Sequence, residues 1–428
     1  MEQAWGDFIR MQQSQNENTD RGRLQVSVIN SQNNYPVENA KVRIAFTGDP
    51  DSVVEELVTD SSGRTPVIEL KTPPMEYSQT PGEEQPYSEY TVKIDAEGFE
   101  PKEVAGSEML PEVLSQQLAV VNPRLPGETF QRVVIPPHTL FYQYPPKNPE
   151  SEIKPVNESG EIVLSKVVVP EYVIVHDGPV GDRAARNYYV RYRDYIKNVA
   201  SSEIYATWPD DTIRANVLAI MSFTLNRVYT EWYRNKGYDF TITSSTAYDH
   251  KWIYGRNIFD PIDRIVDELF ENYLSRPNVK QPILTQYCDG EMVRCADRGW
   301  MTQWGSKSLG DQGYSPIEIL RSFYGNDMYI NVAEEISGIP SSWPGYDLTL
   351  GASGNKVRQI QEQLNAIAGA YPAIPRLAVD GIYGQETEKA VSSFQDVFGL
   401  PVTGIIDYPT WYKIQEVYVG VSRIAELR

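Results

Sequence analysis

Alternating apolar and polar residues mark the first quarter of the chain. The alternation occurs in four short segments, at residues 24–28, 42–46, 68–70 and 90–94. A period of two is typical of half-buried β-strands, and turn-forming residues separate the segments. Several short strands at this spacing predict an antiparallel all-β sandwich over residues 22–120. Residues 1–21 are polar and carry no apolar period, which predicts a flexible arm.

Prolines interrupt the pattern between residues 121 and 170. This stretch contains nine prolines, including Pro136-Pro137 and Pro145-Pro146. Because proline lacks a backbone N–H and fixes φ, the stretch is neither a regular helix nor a central strand. We expect an extended connector that is exposed to solvent and open to proteolysis.

Helical periodicity begins after residue 171. Apolar residues then recur at intervals of three and four, first along a helix whose apolar face continues to Glu203. This periodicity predicts a central, mainly helical α+β domain over residues 171–335. Glycine, proline and serine at 336–346 predict a linker, and renewed helical periodicity predicts a three-helix domain over 347–420. The chain is therefore expected to be multidomain, as its length also suggests.

Composition disfavours several classes of partner. The 428 residues include 39 Lys and Arg against 58 Asp and Glu, which gives a net charge of −19. We therefore expect neither nucleic acid nor membrane as a partner, and no segment approaches the ~18 apolar residues of a membrane span. Two cysteines and three histidines offer few ligands for zinc, so we expect no metal and no cofactor. The N-terminus lacks a secretory signal pattern, which predicts synthesis in a cytosol.

The predicted sandwich contains a recognisable order of strands and turns. Gly22-x-Leu-x-Val-x-Val is followed by Thr59-Asp-x-x-Gly63 and by Tyr90-x-Val-x-Ile. This order resembles transthyretin-like or carboxypeptidase-regulatory-like domains. The resemblance is to a fold with many uses and implies no activity.

The C-terminal unit contains the most specific motif of the chain. Asp380-Gly-x-Tyr-Gly384-x-x-Thr387 lies between two apolar series of helical period. The unit closely resembles the helical peptidoglycan-binding domain of bacterial wall hydrolases. That resemblance implies peptidoglycan as a partner and gives three candidate wall-binding residues, Asp380, Tyr383 and Thr387.

The central domain contains the candidate chemistry. The segment from Glu203 to Trp208-Pro209 follows an apolar helix and precedes an alanine-rich one. This order resembles the sporulation stage II protein D family of lytic transglycosylases, as does the later segment Met301-Thr-Gln-Trp-Gly-Ser306. The resemblance implies that Glu203 is the catalytic residue. We expect Gln303 to bind sugar hydroxyls through its amide, and Trp304 and Tyr287 to stack on sugar rings. Asp249 and His250 occupy the family's Asp-Gln-x-Tyr-x-Gly position and are also expected to contact substrate.

The domain order is similar to that of the clostridial spore cortex-lytic enzymes of the SleC type. Residues 170–178, 244–250 and 287–290 carry this narrower resemblance. It implies a zymogen that a protease activates near Lys166 and Val167 and that cleaves cortex peptidoglycan during germination. It also implies synthesis in the mother-cell cytosol and a location in the cortex or coat region of the spore.

Glu203 has the sequence context that a general acid requires. Because it continues an apolar helical face, we expect it to point into the domain or a cleft, where desolvation favours the neutral carboxyl. A lytic transglycosylase needs one such carboxyl, since the C6 hydroxyl of muramic acid attacks the anomeric carbon and the same carboxylate accepts its proton. The structural alternative pairs Glu203 with Arg193, Arg227 or a capped backbone.

Two departures from the transglycosylase family leave alternatives open. Ile220-Met221 stands where the family has an arginine, and Cys288-Asp-Gly replaces its glycine-rich loop. Cys288 and Cys295 form a disulfide, remain two buried thiols, or contribute with His250 to a zinc site. The functional alternatives are an N-acetylmuramoyl-L-alanine amidase and a non-catalytic wall-binding or coat protein.

Overall fold

The computed structural model describes residues 20–124, 127, 130–154, 164–337 and 343–422. The predicted arm at 1–21 lies outside this part of the chain, except for Asp20 and Arg21, which already belong to the first strand. Parts of the predicted connector and of the linker at 336–346 also lie outside it.

The N-terminal sandwich is formed by two sheets whose inner faces share one core. Its strands in the described residues are β1 (Asp20–Asn30), β2 (Lys41–Phe46), β3 (Asp49–Val58), β4 (Ile68–Thr72), β5 (Ser88–Asp95), β6 (Lys102–Met109), β7 (Leu114–Val121) and β8 (Gln131–Val134). One sheet contains β4, β1 and β7, and the other follows the order β3-β2-β5-β6-β8. The sandwich expected from the alternating pattern is present, and it extends beyond residue 120 to β8.

The sandwich is not wholly antiparallel, which corrects the expectation from sequence. β1 pairs in parallel with β7, from Arg23 opposite Leu114 to Asn30 opposite Val121. β6 also pairs in parallel with β8. Parallel neighbours are joined by crossovers rather than by tight turns, so turn residues along the chain do not reveal them.

The central domain packs helices around one buried helix. Its helices in the described residues are α1 (Tyr192–Glu203), α2 (Asp210–Tyr229), α3 (Asp260–Leu269), α4 (Gln303–Asp311) and α5 (Pro316–Tyr324). Its short strands are β9 (Val168–Val169), β10 (Tyr172–His176), β11 (Asn187–Arg191), β12 (Ile242–Thr243), β13 (Ile258–Phe259), β14 (Asn272–Ser275), β15 (Tyr287–Cys288), β16 (Met301–Thr302), β17 (Tyr329–Val332) and β18 (Glu335–Ile336). All residues of α2 except Asp210, Asp211 and Arg214 are buried. A helix that is buried all round forms the centre of its domain.

The C-terminal domain is a bundle of three helices in the described residues, as the periodicity predicts. These are α6 (Asn355–Ala368), α7 (Gln385–Val397) and α8 (Tyr408–Ser422). Their apolar faces meet around Ile360, Leu364, Val391 and Trp411. Within the described ranges, no helix has the length and apolar character needed to cross a bilayer.

The start of the connector, residues 135–140, packs against the sandwich and the central domain. Ile135, His138 and Leu140 are buried, and the backbone N–H of Thr139 donates to the carbonyl of Ser202 at 3.2 Å. The expectation of an exposed connector is therefore wrong for this part. Proline content excludes regular structure but does not determine burial, because a proline-rich extended segment still has apolar side chains to pack.

Polar groups and a short strand join the sandwich to the central domain. Arg256 forms an ion pair with Glu108 at 2.7 Å, and both side chains are buried. Asn257 bonds the backbone N–H and carbonyl of Glu108 at 3.0 and 2.8 Å. The following strand β13 adds to the edge of the first sheet beside β7. This interface holds the two domains together by main-chain pairing and buried charge.

Glu89 lies opposite Glu108 in this interface. Its buried carboxyl predicts that the free energy of unfolding of the chain depends on pH. Burial, together with the neighbouring Glu108 carboxylate, raises the pKa of Glu89 to about 8. The folded chain therefore holds a proton that the unfolded chain releases at its ordinary, lower pKa, so stability falls as the pH rises toward 8. We expect Glu89→Gln to remove up to about 1.4 kcal/mol per pH unit from this slope. Urea unfolding between pH 5 and 8 measures it.

The exposed Glu55, on β3 of the same sheet, provides the matched control. Glu55→Gln should leave the slope unchanged. Equal slopes for the wild type and Glu89→Gln would contradict the assigned protonation.

Candidate active site

Glu203 is the last residue of α1 and lies at the wall of a cleft. The preceding turns bury Ile196, Val199 and Ala200 in the core, which places Glu203 on the same inward face. Its side chain is 3% exposed and lines a pocket with residues from the connector and from the segment that follows β15. The structure thus places Glu203 where its helical face predicts.

Three hydrogen bonds fix the position of Glu203. Oε1 accepts from the backbone N–H of Lys251 at 2.6 Å, and Oε2 accepts from the hydroxyl of Tyr287. The side-chain amide of Gln303 donates to the backbone carbonyl of Glu203 at 3.0 Å. Tyr287 and Gln303, both predicted as substrate-binding residues, line the cleft beside the candidate acid.

The two arginines of the structural alternative have other partners. Arg193 bonds one carboxylate on α3 and another on α8. Arg227 bonds Asp249 at 2.6 Å and a carboxylate of the connector at 2.7 Å. Among the described residues, no arginine pairs with Glu203. The backbone form of the alternative is present, because Oε1 accepts the Lys251 N–H.

Burial raises the pKa of Glu203 above its usual range. The Lys147 ammonium, the Lys251 backbone N–H and the Tyr287 hydroxyl favour the ionised form and act in the opposite direction, but burial outweighs them. Desolvation is the physical cause that keeps a catalytic carboxylic acid protonated near neutral pH. The group can therefore donate a proton to a bound substrate and take one back.

A disulfide closes the loop that follows Tyr287. Cys288 and Cys295 are bonded, with their Cα atoms 5.3 Å apart, so the disulfide is the alternative that the structure supports. Within this loop, Asp289 accepts backbone N–H bonds from the residues that follow it. The covalent closure and the carboxylate cap give one wall of the cleft a defined shape.

Trp304 does not line the cleft, which corrects its predicted substrate contact. It is buried against Trp208, with ring centroids 5.0 Å apart, and against Tyr205 at 6.1 Å. Its neighbour Gln303 faces the cleft instead. Adjacent helix residues point about 100° apart, so one motif supplies both a cleft residue and a core residue.

Asp249 and His250 also lie behind the cleft wall rather than on it. Both are fully buried, so the predicted direct substrate contacts are not available in this conformation. The His250 ring stacks on Tyr287 with centroids 5.8 Å apart, and its Nδ1 shares a hydrogen bond with Tyr195. His250 thus supports the Tyr287 side chain, which in turn contacts Glu203.

Arg227 lies behind the cleft wall, and the sequence indicated it only as a partner for Glu203. It is fully buried on α2 and bonds Asp249, which also accepts from Tyr233 and Thr243 at 2.7 Å each. The sequence signal was an arginine inside an otherwise apolar helix. Such a charge is retained in a core only with a carboxylate partner.

Lys147 is a further site residue that the sequence analysis missed. It belongs to the connector, lines the cleft with Glu203, and lies over the Phe223 ring at 5.0 Å and the Tyr287 ring at 5.4 Å. The proline-rich sequence around it has no periodicity that would orient a side chain. Tertiary packing alone brings Lys147 to the candidate acid.

Two of the three predicted wall-binding residues belong to the core of the C-terminal domain. Tyr383 is buried and donates to the carbonyl of Gly404 at 2.7 Å, and Thr387 is buried beside Gln361. The exposed Asp380 caps its own turn by accepting the N–H of Ile382 at 2.8 Å. The motif therefore builds the domain, which corrects the predicted wall contacts of Tyr383 and Thr387.

The predicted activation region lies at the edge of the central domain. Lys166 is exposed and pairs with Glu335 at 3.2 Å, whereas Val167 is 1% exposed. The carbonyl of Val167 accepts the N–H of Glu334 at 2.9 Å, and β9 continues in parallel with β18. Proteolysis between Lys166 and Val167 would require this local pairing to open.

Within the described ranges, no group of three or more His, Cys, Asp or Glu side chains is arranged to hold a metal ion. His176 bonds Asn187 at 2.8 Å and stacks on Phe240, with ring centroids 4.5 Å apart. These contacts give His176 a structural role at the start of the central domain.

Comparison with known proteins identifies the C-terminal domain. Residues 353–414 match the family described as "Putative peptidoglycan binding domain". The chain is also 40% identical over 77 residues to the zinc D-Ala-D-Ala carboxypeptidase of Streptomyces albus G. That alignment covers 18% of this chain and 28% of the carboxypeptidase, so most of the carboxypeptidase has no counterpart here.

Two solved structures show local similarity. The SleB N-terminal domain is 30% identical, with 18% of this chain and 99% of that domain covered, at a TM-score of 0.16. The minor pilin GBS52 of Streptococcus agalactiae is 13% identical over 26% of this chain and 48% of the pilin, at a TM-score of 0.17. At these scores neither structure establishes the fold of the whole chain. The family match covers residues 353–414, which lie within the C-terminal domain.

Proposed function

We propose that this protein cleaves the glycan strands of peptidoglycan as a lytic transglycosylase, with Glu203 as both acid and base. The observation that carries the proposal is a buried carboxyl, with a raised pKa, held at the wall of a cleft. The peptidoglycan-binding domain on the same chain supplies attachment to the polymer. The sequence resemblance to the transglycosylase family supports the same chemistry.

The proposed reaction needs two proton transfers at one side chain. Protonated Glu203 donates to the glycosidic oxygen as the bond from that oxygen to the muramic anomeric carbon breaks. The C6 hydroxyl of the same muramic acid then bonds to that carbon and gives its proton to the Glu203 carboxylate. The products are a 1,6-anhydromuramic end and a free sugar end, and the acid is regenerated.

The carboxyl groups at the cleft favour this reaction over hydrolysis. In the described part of the chain, Glu203 and Asp289 are the carboxyl residues that line it. Both oxygens of Asp289 accept backbone N–H bonds, from Glu291, Met292 and Val293 at 2.6–2.9 Å. Asp289 is thus engaged in holding its loop, whereas a hydrolase needs a second carboxylate to act as nucleophile or to activate water.

The biological setting follows as part of the same proposal. We infer a spore cortex-lytic enzyme that is made as a zymogen in a mother-cell cytosol, lies in the cortex or coat region, and is activated by a protease during germination. The resemblance to spore cortex-lytic enzymes supports this setting, as does the N-terminal portion packed on the central domain.

Mass analysis of digested cortex tests the proposed chemistry. Purified cortex is incubated with the chain before and after proteolysis around residues 160–170, and the soluble products are separated and weighed. We expect 1,6-anhydromuramic ends from the proteolysed chain. Released stem peptides would instead indicate an amidase, and an undigested cortex would indicate a wall-binding protein without this activity.

A further inference from the structure

The connector lies across the cleft that contains Glu203. We call residues 144–154 of the connector the cleft strap. The three prolines of the strap, Pro145, Pro146 and Pro149, favour an extended path over the central domain. Tyr144, Pro145 and Lys147 line the same pocket as Glu203. A polymer that reached Glu203 through this pocket would have to displace these side chains.

Lys147 brings a positive charge to the candidate acid. Its Nζ donates to the backbone carbonyl of Asp249 and lies over the rings of Phe223 and Tyr287. Burial raises the pKa of Glu203, and the nearby ammonium of Lys147 opposes that rise. The Lys147 ammonium is thus one of the groups that favour the ionised carboxylate, and burial outweighs them.

One side-chain and one main-chain hydrogen bond attach the strap beside the cleft. The hydroxyl of Thr246 donates to the carbonyl of Pro145 at 2.8 Å. The backbone N–H of Asn148 donates to the carbonyl of Ala247 at 2.8 Å. These two bonds attach the strap to the segment that contains Thr246 and Ala247.

Two carboxylates anchor the C-terminal half of the strap. Glu150 bonds both terminal nitrogens of Arg227, at 2.7 and 3.0 Å. Glu152 bonds Arg276 through two contacts of 2.8 Å. Bidentate pairs of this kind are among the stronger and more directional hydrogen bonds in proteins. Burial opposes ionisation of Glu150, but Arg227 and Lys154 outweigh it and hold its pKa at about 2.

We propose that the cleft strap is an internal inhibitor that occupies the glycan-binding cleft of the intact chain. This inference rests on the proposed role of Glu203 and specifies how that site is regulated. The strap excludes substrate sterically through Tyr144, Pro145 and Lys147, and its two carboxylate anchors hold it in place.

Proteolysis around residues 160–170 has a defined consequence in this arrangement. The cut breaks the covalent connection between the strap and the central domain, and the strap stays covalently connected to the sandwich. The sandwich remains bound through β13 and the Arg256–Glu108 pair until it dissociates. Activation therefore requires departure of the N-terminal portion in addition to cleavage of the backbone.

Glycan binding by intact, full-length chains tests the strap independently of catalysis. All chains carry Glu203→Gln, and the chain with this change alone is the parent. It is compared with Lys147→Ala, with the double variant Glu150→Gln/Glu152→Gln, and with the exposed sandwich control Lys71→Ala. Isothermal titration measures binding of a peptide-free tetrasaccharide of alternating N-acetylglucosamine and N-acetylmuramic acid. Opening the strap should tighten binding about tenfold or more, since each lost charged hydrogen bond changes the equilibrium by about that factor. Lys71→Ala should have no effect.

The outcomes separate the inference from the proposed chemistry. Equal affinity in the parent, Lys147→Ala and the double variant overturns the strap as an inhibitor. Lys147→Ala retains both carboxylate anchors, so it remains informative if the double variant does not fold. The same strap changes are also made with Glu203 present and assayed on cortex without proteolysis. If the strap variants bind the glycan more tightly but no anhydromuramic product forms, even after proteolysis, the strap still occupies the cleft. The proposed transglycosylase reaction is then wrong.

Discussion

Replacing Glu203 with glutamine is expected to lower the rate of glycan cleavage by about a thousandfold or more. The amide has nearly the same shape and still accepts the N–H of Lys251, so the cleft should keep its structure. It has no proton to give to the glycosidic oxygen, and general acid catalysis is typically worth about 10²–10⁴ in rate. The measurement is release of 1,6-anhydromuropeptides from cortex by the proteolysed chain.

Wall binding provides the internal control for this variant. The peptidoglycan-binding domain is separate from the cleft, so sedimentation with purified wall should be unchanged. Glu268→Gln, on α3 and paired with Arg214 and Arg264, is a matched change in the same domain. It should retain full turnover. Substantial product formation by Glu203→Gln would show that Glu203 is not the catalytic acid.

Arg227→Met is expected to destabilise the central domain by about 3–5 kcal/mol. The substitution roughly preserves side-chain length but removes the cation that pairs with Asp249 in the core. An uncompensated buried charge carries a penalty of about this size. For a domain of this length, the loss should lower the unfolding midpoint by roughly 10 °C. Differential scanning calorimetry of the full chain measures it.

Arg214→Met is the matched control on the same helix. Arg214 pairs with Glu268 at a partly exposed position on α2, where water solvates either partner after the other is removed. Such pairs contribute about 1 kcal/mol or less. If both variants shifted the midpoint equally, the buried Asp249 pair would not have the assigned energetic role.

Local sequence patterns predict elements well where burial itself is periodic. The alternation around Leu24 and Val92 correctly predicts strands, and the stripe through Ile196 and Val199 correctly predicts the inward face that ends at Glu203. The parallel pairing of β1 with β7 is not predictable in this way. Residues about 90 positions apart meet there, and neither segment carries a local signal for its partner.

The candidate site shows the same limit at the level of single residues. Gln303 and Trp304 are adjacent in one motif, but one lines the cleft and the other is buried against Trp208. Tyr383 and Thr387 belong to the best-matched domain, and yet they stabilise its core. A motif specifies which residue types are needed, whereas the packing around each side chain decides whether it is available to a ligand.

The amino-acid sequence by itself determined the domain order, the C-terminal bundle and the inward position of Glu203. Each follows from patterns within a few helical turns or strand lengths, because periodic burial is a local property of the chain. Only the tertiary structure placed Lys147 and the anchored cleft strap beside Glu203. Their position depends on contacts between residues that are distant in sequence, and proline-rich sequence leaves those contacts unspecified.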